Sequence, residues 1–209
     1  MKKLSYSLFN ISVYFICLIA LNAHSASTEK TLLVFGDSLS AAYGLPAEQG
    51  WPALLTKQLA QQQSPWRVIN LSISGETSAG GLLRFGKAIK QYQPDLVILE
   101  LGANDGLRGQ SIKQIRKNLQ SMIDQSISNQ AQVLLAGMHI PSNYGKRYTS
   151  SFHQVFIQLS TENNIAFIPF LLTDIADKPE LLLADQLHPN EEGQKQMLKN
   201  VWKYLKPLL

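Results

Sequence analysis

Two kinds of apolar pattern alternate along the chain. The runs TLLVF (31–35), RVINLSI (67–73), DLVILEL (95–101), QVLLAGM (132–138) and IAFIPF (165–170) are short, nearly continuous and bounded by polar or turn-forming residues. That is how strands buried on both faces read. Between and after them lie longer stretches in which apolar positions return every three or four residues: 51–61, 78–92, 111–127, 150–163 and 190–205. In 111–127, for example, Ile112, Ile115, Leu119, Met122 and Ile123 fall on one face of a helix. Pro52 stands in the first turn of the first helix, where its missing N–H leaves no bond unmade. Strand followed by helix, repeated to the end of the chain, predicts the α/β class: a three-layer α/β/α sandwich around a five-stranded parallel sheet. Right-handed crossovers restrict the topology, and the flavodoxin-like strand order 2-1-3-4-5 is expected.

The first residues do not fit that alternation. Lys2 and Lys3 precede an apolar stretch over 8–21, and Ala23 and Ser25 then occupy small-residue positions of a signal-peptidase site. The pattern predicts a signal peptide over 1–25, with cleavage after Ser25 or a residue or two to either side, and one domain over 26–209. The apolar stretch is shorter than the ~20 residues of a spanning helix. Cys17, the only cysteine of the 209 residues, lies inside it, and the bulky Ile16 before it is unlike a lipoprotein site. The exported domain would then have no stable membrane anchor and no cysteine, which excludes disulfides, thiol nucleophiles and thiolate metal ligands. A bacterial periplasmic or secreted protein is expected, acting as a monomer. Half of the net charge of +4 belongs to Lys2 and Lys3. What remains is too balanced for a nucleic-acid partner.

In an open α/β sheet, ligands bind beyond the carboxyl ends of the strands. The residues found there are Gly36-Asp37-Ser38 after the first strand, Ser74-Gly75-Glu76-Thr77 after the second and Gly102-Ala103-Asn104-Asp105-Gly106 after the third. His139 follows the fourth, and Asp185-Gln186-Leu187-His188 lies beyond the fifth. These are the types that acyl transfer requires. Ser38 needs a base to become a nucleophile, and His188 can be that base. Asp185 can accept from the ring Nδ1 if the chain bends at Leu187. The oxyanion needs preorganised donors, which Gly75, Asn104 and the Ser38 amide could supply, the last aided by a short helical turn over SLSAAY. Each residue also has a plainer explanation. Ser38 could cap that turn, Asn104 and Asp105 could be turn residues, Gly75 a turn glycine and His188 a surface histidine. His139 is a rival base without an acidic neighbour in sequence, and reads as loop or pocket lining; His153 reads as helix surface. Glu100 is an oddity in a buried strand, a hydrogen-bonded structural carboxylate without an assigned role.

Four blocks, GDSLS (36–40), SGETSAGG (74–81), LGANDGLRG (101–109) and DQLHPN (185–190), together resemble the SGNH (GDSL) hydrolases. More narrowly, GDSLSAAYGL, WPALL, NDGLRG and NYGKRY resemble the esterase and thioesterase subgroup of that superfamily. The resemblance runs from about Thr31 to the last helix. It implies Ser38 as nucleophile, His188 as base, Asp185 as its partner, and Ser38, Gly75 and Asn104 as oxyanion donors. It also implies hydrolysis of acyl esters and thioesters through an acyl-serine intermediate, with no metal and no cofactor. Ala103 stands where a second glycine is common, and Glu76 where aspartate is common. Leu107, Ile140, Pro141 and Tyr144 could line an acyl groove or simply pack on the core. Arg108, Lys146 and Arg147 could meet a phosphate or form a solvated basic face. Removal of acetyl groups from carbohydrate, or lipid or glycan binding without catalysis, would use the same fold.

Overall fold

The computed structural model describes residues 29–209, so the expected signal peptide, with Cys17 and His24, lies outside the described residues. Five strands form one parallel sheet: β1 (Lys30–Gly36), β2 (Trp66–Asn70), β3 (Leu96–Glu100), β4 (Gln132–Ala136) and β5 (Ala166–Ile168). Their order is β2-β1-β3-β4-β5, as the alternation predicts. Six helices are interleaved: α1 (Trp51–Gln61), α2 (Ser78–Tyr92), α3 (Ala103–Leu107), α4 (Ile112–Ser128), α5 (Lys146–Glu162) and α6 (Glu191–Leu205). Helices α1 and α6 pack together, while α2, α4 and α5 pack side by side. Every residue of the central strand β3 is buried, because helices cover both faces. No helix of the described residues is long and apolar enough to cross a membrane.

Four elements show the larger departures from the sequence pattern. Strand β2 ends at Asn70 rather than 73, although Leu71 and Ile73 still donate to Val34 and Gly36 of β1. Strand β5 has three residues instead of six, since Pro169 has no N–H to extend the ladder. Helix α5 starts four residues early, directly after Gly145 at φ +86°, where the polar GKRY reads as loop. Helix α3 was not expected at all: ANDGL has turn-forming composition and is too short to show a period.

Candidate active site

At the end of β1 the chain turns sharply. Ala41 N–H donates to Asp37 O at 2.9 Å, Tyr43 N–H donates to Ser38 O at 3.2 Å, and Ala42 adopts φ +57°. Residues 38–44 are turns, and the i→i+4 bond from Ala41 to Asp37 makes a single helical turn at Ser38 that does not continue into a helix. The Ser38 side chain is left half-buried on the rim of the sheet.

His188 comes to it from the other end of the chain. Gln186 at φ +57° bends the segment, and Asp185 Oδ1 accepts from the Leu187 and His188 amides at 2.9 and 3.0 Å. Asp185 Oδ2 lies 2.7 Å from His188 Nδ1, and His188 Nε2 lies 2.8 Å from Ser38 Oγ. An ionised carboxylate only accepts, so Nδ1 carries the ring proton and Nε2 accepts from the Ser38 hydroxyl. Desolvation works against the charge on Asp185, but the two amides and the His188 ring outweigh it and hold this carboxyl down at about 2. Tyr43 leans over the imidazole, with ring centroids 4.4 Å apart.

Two further loops complete the rim. Gly75 adopts φ +77°, a conformation that favours glycine, and Arg108 Nη2 donates to its carbonyl at 3.1 Å. Asn104 sits in the first turn of α3, which follows Gly102 at φ +118°. Its Nδ2 donates to Asp37 Oδ2 at 3.0 Å, and a primary amide retains a second hydrogen for another acceptor. Neighbouring Asp105 is buried. It accepts from Ser78 N at 2.7 Å and Ser78 Oγ at 2.6 Å, and Asn118 Nδ2 donates to Ser78 Oγ at 2.9 Å. The loops bearing Gly75 and Asn104 are thus bound to one another through α2, α3 and α4.

Beside Ser38 opens a cavity of about 220 Å³ lined chiefly by apolar side chains. Leu107, Ile140 and Pro141 line it, as their place in sequence suggested. Arg108 and Tyr144 do not. Their polar ends are held elsewhere, Arg108 on Gly75 O and the Tyr144 hydroxyl on Leu107 O at 2.7 Å. Sequence reasoning missed Leu39, Met138 and Leu172 as lining residues. Leu39 directly follows Ser38 and Met138 stands two residues beyond strand β4, which is the signal that could have found them. His139 also lines the cavity. It stacks on His153 at 3.7 Å between centroids, so His153 is half-buried rather than on the helix surface. Burial and the neighbouring ring lower the His139 pKa.

The arrangement has known relatives. The model of the GDSL-like lipase/acylhydrolase family matches residues 34–196. Esterase TesA of Pseudomonas aeruginosa is 44% identical over 193 residues, covering 92% of this chain and 96% of its own. Thioesterase 1/protease 1/lysophospholipase L1 of Escherichia coli K12 is 37% identical over 203 residues, covering 97% and 96%. The crystal structure of the psychrotrophic esterase EstA from Pseudoalteromonas sp., inhibited by monoethylphosphonate, superposes with a TM-score of 0.83. It is 42% identical and covers 86% of this chain and 98% of its own.

Proposed function

This chain belongs to the GDSL-like lipase/acylhydrolase family, and from that premise we propose that it hydrolyses carboxylic esters and thioesters of acyl chains through an acyl-Ser38 intermediate. One observation carries the assignment of roles: across 150 residues of sequence, His188 Nε2 meets Ser38 Oγ at 2.8 Å, with Asp185 behind the ring. Ser38 Oγ attacks the carbonyl carbon while His188 takes its proton. The ionised Asp185 stays ionised and balances the imidazolium. The oxyanion forms among the amides of Ser38 and Gly75 and the free hydrogen of Asn104 Nδ2. His188 then protonates the departing alcohol or thiol. Water, deprotonated by the same ring, attacks the acyl carbon and releases the acid.

The cavity favours an acyl chain over a sugar acetate. Leu39, Leu107, Met138, Ile140 and Leu172 offer aliphatic surface next to Ser38, whereas a carbohydrate needs several polar partners. A leader over residues 1–25 would deliver the domain out of the cytoplasm. A fluorophosphonate probe should label the wild-type chain and not Ser38→Ala. Nitrophenyl esters of rising chain length, an acyl-CoA and a lysophospholipid, measured side by side, then define the substrate. Activity that stops at two acyl carbons would replace this proposal with deacetylation. Failure of the probe to label would replace it with binding.

A further inference from the structure

Strand β3 ends on a carboxyl group that the acyl-transfer steps leave unused. Glu100 is fully buried and pairs in register with Gly36, the residue that leads into the Ser38 turn. A side chain at position 36 would collide with Glu100 Oε2, with Ser40 Oγ and with the Glu100 carbonyl. Glycine there is what lets the carboxyl lie against the turn. Glu100 Oε2 accepts from Ser40 Oγ at 2.6 Å and from Asp37 N at 3.2 Å, while Oε1 meets no donor. Asp37 is a second buried carboxyl within hydrogen-bonding range of the first. Its Oδ1 takes the Leu39 amide at 3.1 Å and its Oδ2 takes Asn104 Nδ2 at 3.0 Å.

The ionisable groups facing this pair are few. Asp37 faces Glu100 from β3 and His188 from the loop before α6; Glu100 faces Asp37 alone. Among the described residues no lysine or arginine forms an ion pair with either. Two carboxylates in dry contact without a cation cannot both ionise, so the pair keeps one proton. The donors decide where the charge settles. Each carboxyl receives two, one on each oxygen of Asp37 but both on Glu100 Oε2, so Glu100 Oε1 is free to hold the proton, and Asp37 alone also faces His188.

We propose that Glu100 acts as a neutral acid steadying an ionised Asp37, and that this one charge orients the Asn104 amide toward the oxyanion and faces His188 as the imidazolium forms. The two are positioning residues, and the inference rests on the acyl-Ser38 mechanism above. Burial raises Asp37 to about 6, against the pull of the Leu39 amide, Asn104 and His188. Burial and the Asp37 charge raise Glu100 well above the ordinary carboxylate range. Turnover therefore also requires Asp37 in its deprotonated form, and falls on the acid side as that carboxyl takes up its proton.

The test measures kcat and KM for nitrophenyl butyrate on the full chain, from about pH 4.5 to 9. Asp37→Asn should lower kcat by ~10², the scale of one lost oxyanion donor, with KM nearly unchanged and a shallower acid limb. Glu100→Gln still supplies a neutral donor and should keep most of the turnover that Glu100→Ala loses. The inference is overturned if Glu100→Gln, folded by circular dichroism, falls as far as Glu100→Ala. It is overturned equally if Asp37→Asn keeps the wild-type kcat or the wild-type acid limb. Fluorophosphonate labelling of the wild type separates the two failures. A wild type that labels leaves the mechanism standing when the variants disagree with the inference, while one that does not label removes the mechanism itself.

Discussion

His188 stands in a segment that organises itself. The carboxylate that holds its ring is three residues away, the same carboxylate caps two amides of its own bend, and Asp185 remains about a third exposed. Across the site, the turn bearing Ser38 and the loop bearing Asn104 are held from a distance. Glu100 reaches Ser40 and Asp37 from sixty or more residues away, and Ser78 reaches Asp105 of α3 from α2, held in turn by Asn118 of α4. One half of the site is local and wet; the other is long-range and dry. Their carboxylates differ accordingly, with Asp185 at about 2 and Asp37 at about 6. For Asp185, folded below its ordinary value, the linked stability is present above that value and is lost only as pH falls through about 2. For Asp37 the sign reverses. Charge in the folded state is unfavourable above about 6, and this penalty fades as pH falls toward the ordinary 3.8. The buried half thus carries a charge beside the proposed oxyanion donors at a cost in stability at neutral pH.

The largest expected effects test whether the exposed half is chemical rather than structural. His188→Ala should lower kcat by ~10⁵–10⁶, and Asp185→Asn by ~10⁴ through the wrong ring tautomer. Thermal unfolding should shift little in either, because both side chains are partly exposed and bond mainly within their own bend. A large fall in the melting temperature of either variant would erase the distinction between the two halves.

The same division decides what the sequence shows. The rim residues were legible because buried parallel strands announce their ends, and because Asp185 and His188 are close enough to be paired by eye. Neither Arg108 nor Tyr144 could be placed that way. Each is engaged by a main-chain carbonyl, of Gly75 and Leu107, and carbonyls leave no trace in the identity of a residue. Glu100 was visible only as an anomaly, a charge in an apolar strand. Its partner Asp37 was hidden inside a motif, because nothing in the sequence reveals that β1 and β3 pair Gly36 with Glu100. Helix α3 went unseen because five residues rich in Asn, Asp and Gly carry no period.

On the dry side, Asp105 is the position where structure and chemistry should fail together. It touches no reacting atom, yet it ties the start of α2 to α3 through Ser78 N and Oγ. Asp105→Ala leaves the Ser78 amide and hydroxyl without their buried acceptor, at a cost of about 2–3 kcal/mol. Urea denaturation should show the loss as a lower midpoint with an unchanged slope. Turnover should also drop, by less than for a lost oxyanion donor, since Asn104 is displaced but not removed. Full activity in a destabilised Asp105→Ala would mean that α3 holds Asn104 by its own backbone.

The smallest effect belongs to the exposed half, at the point where it is least independent. Two residues after His188, Asn190 caps α6 by accepting from Gly193 N at 3.1 Å, and its Nδ2 donates to Glu180 O at 2.8 Å. Its backbone N–H donates to Leu181 O at 2.9 Å, and the Leu183 amide donates to His188 O at 2.7 Å. The cap therefore joins the histidine segment to α6 and to the 179–182 loop. Asn190→Ala should cost about 1 kcal/mol, the usual value of an N-cap. Because the main-chain bonds at 181–190 and 183–188 remain, His188 should keep its distance from Ser38, and kcat should stay within about threefold of wild type. A fall of ~10² in kcat from this one substitution would show that the histidine segment depends on its helix as much as Ser38 depends on β3.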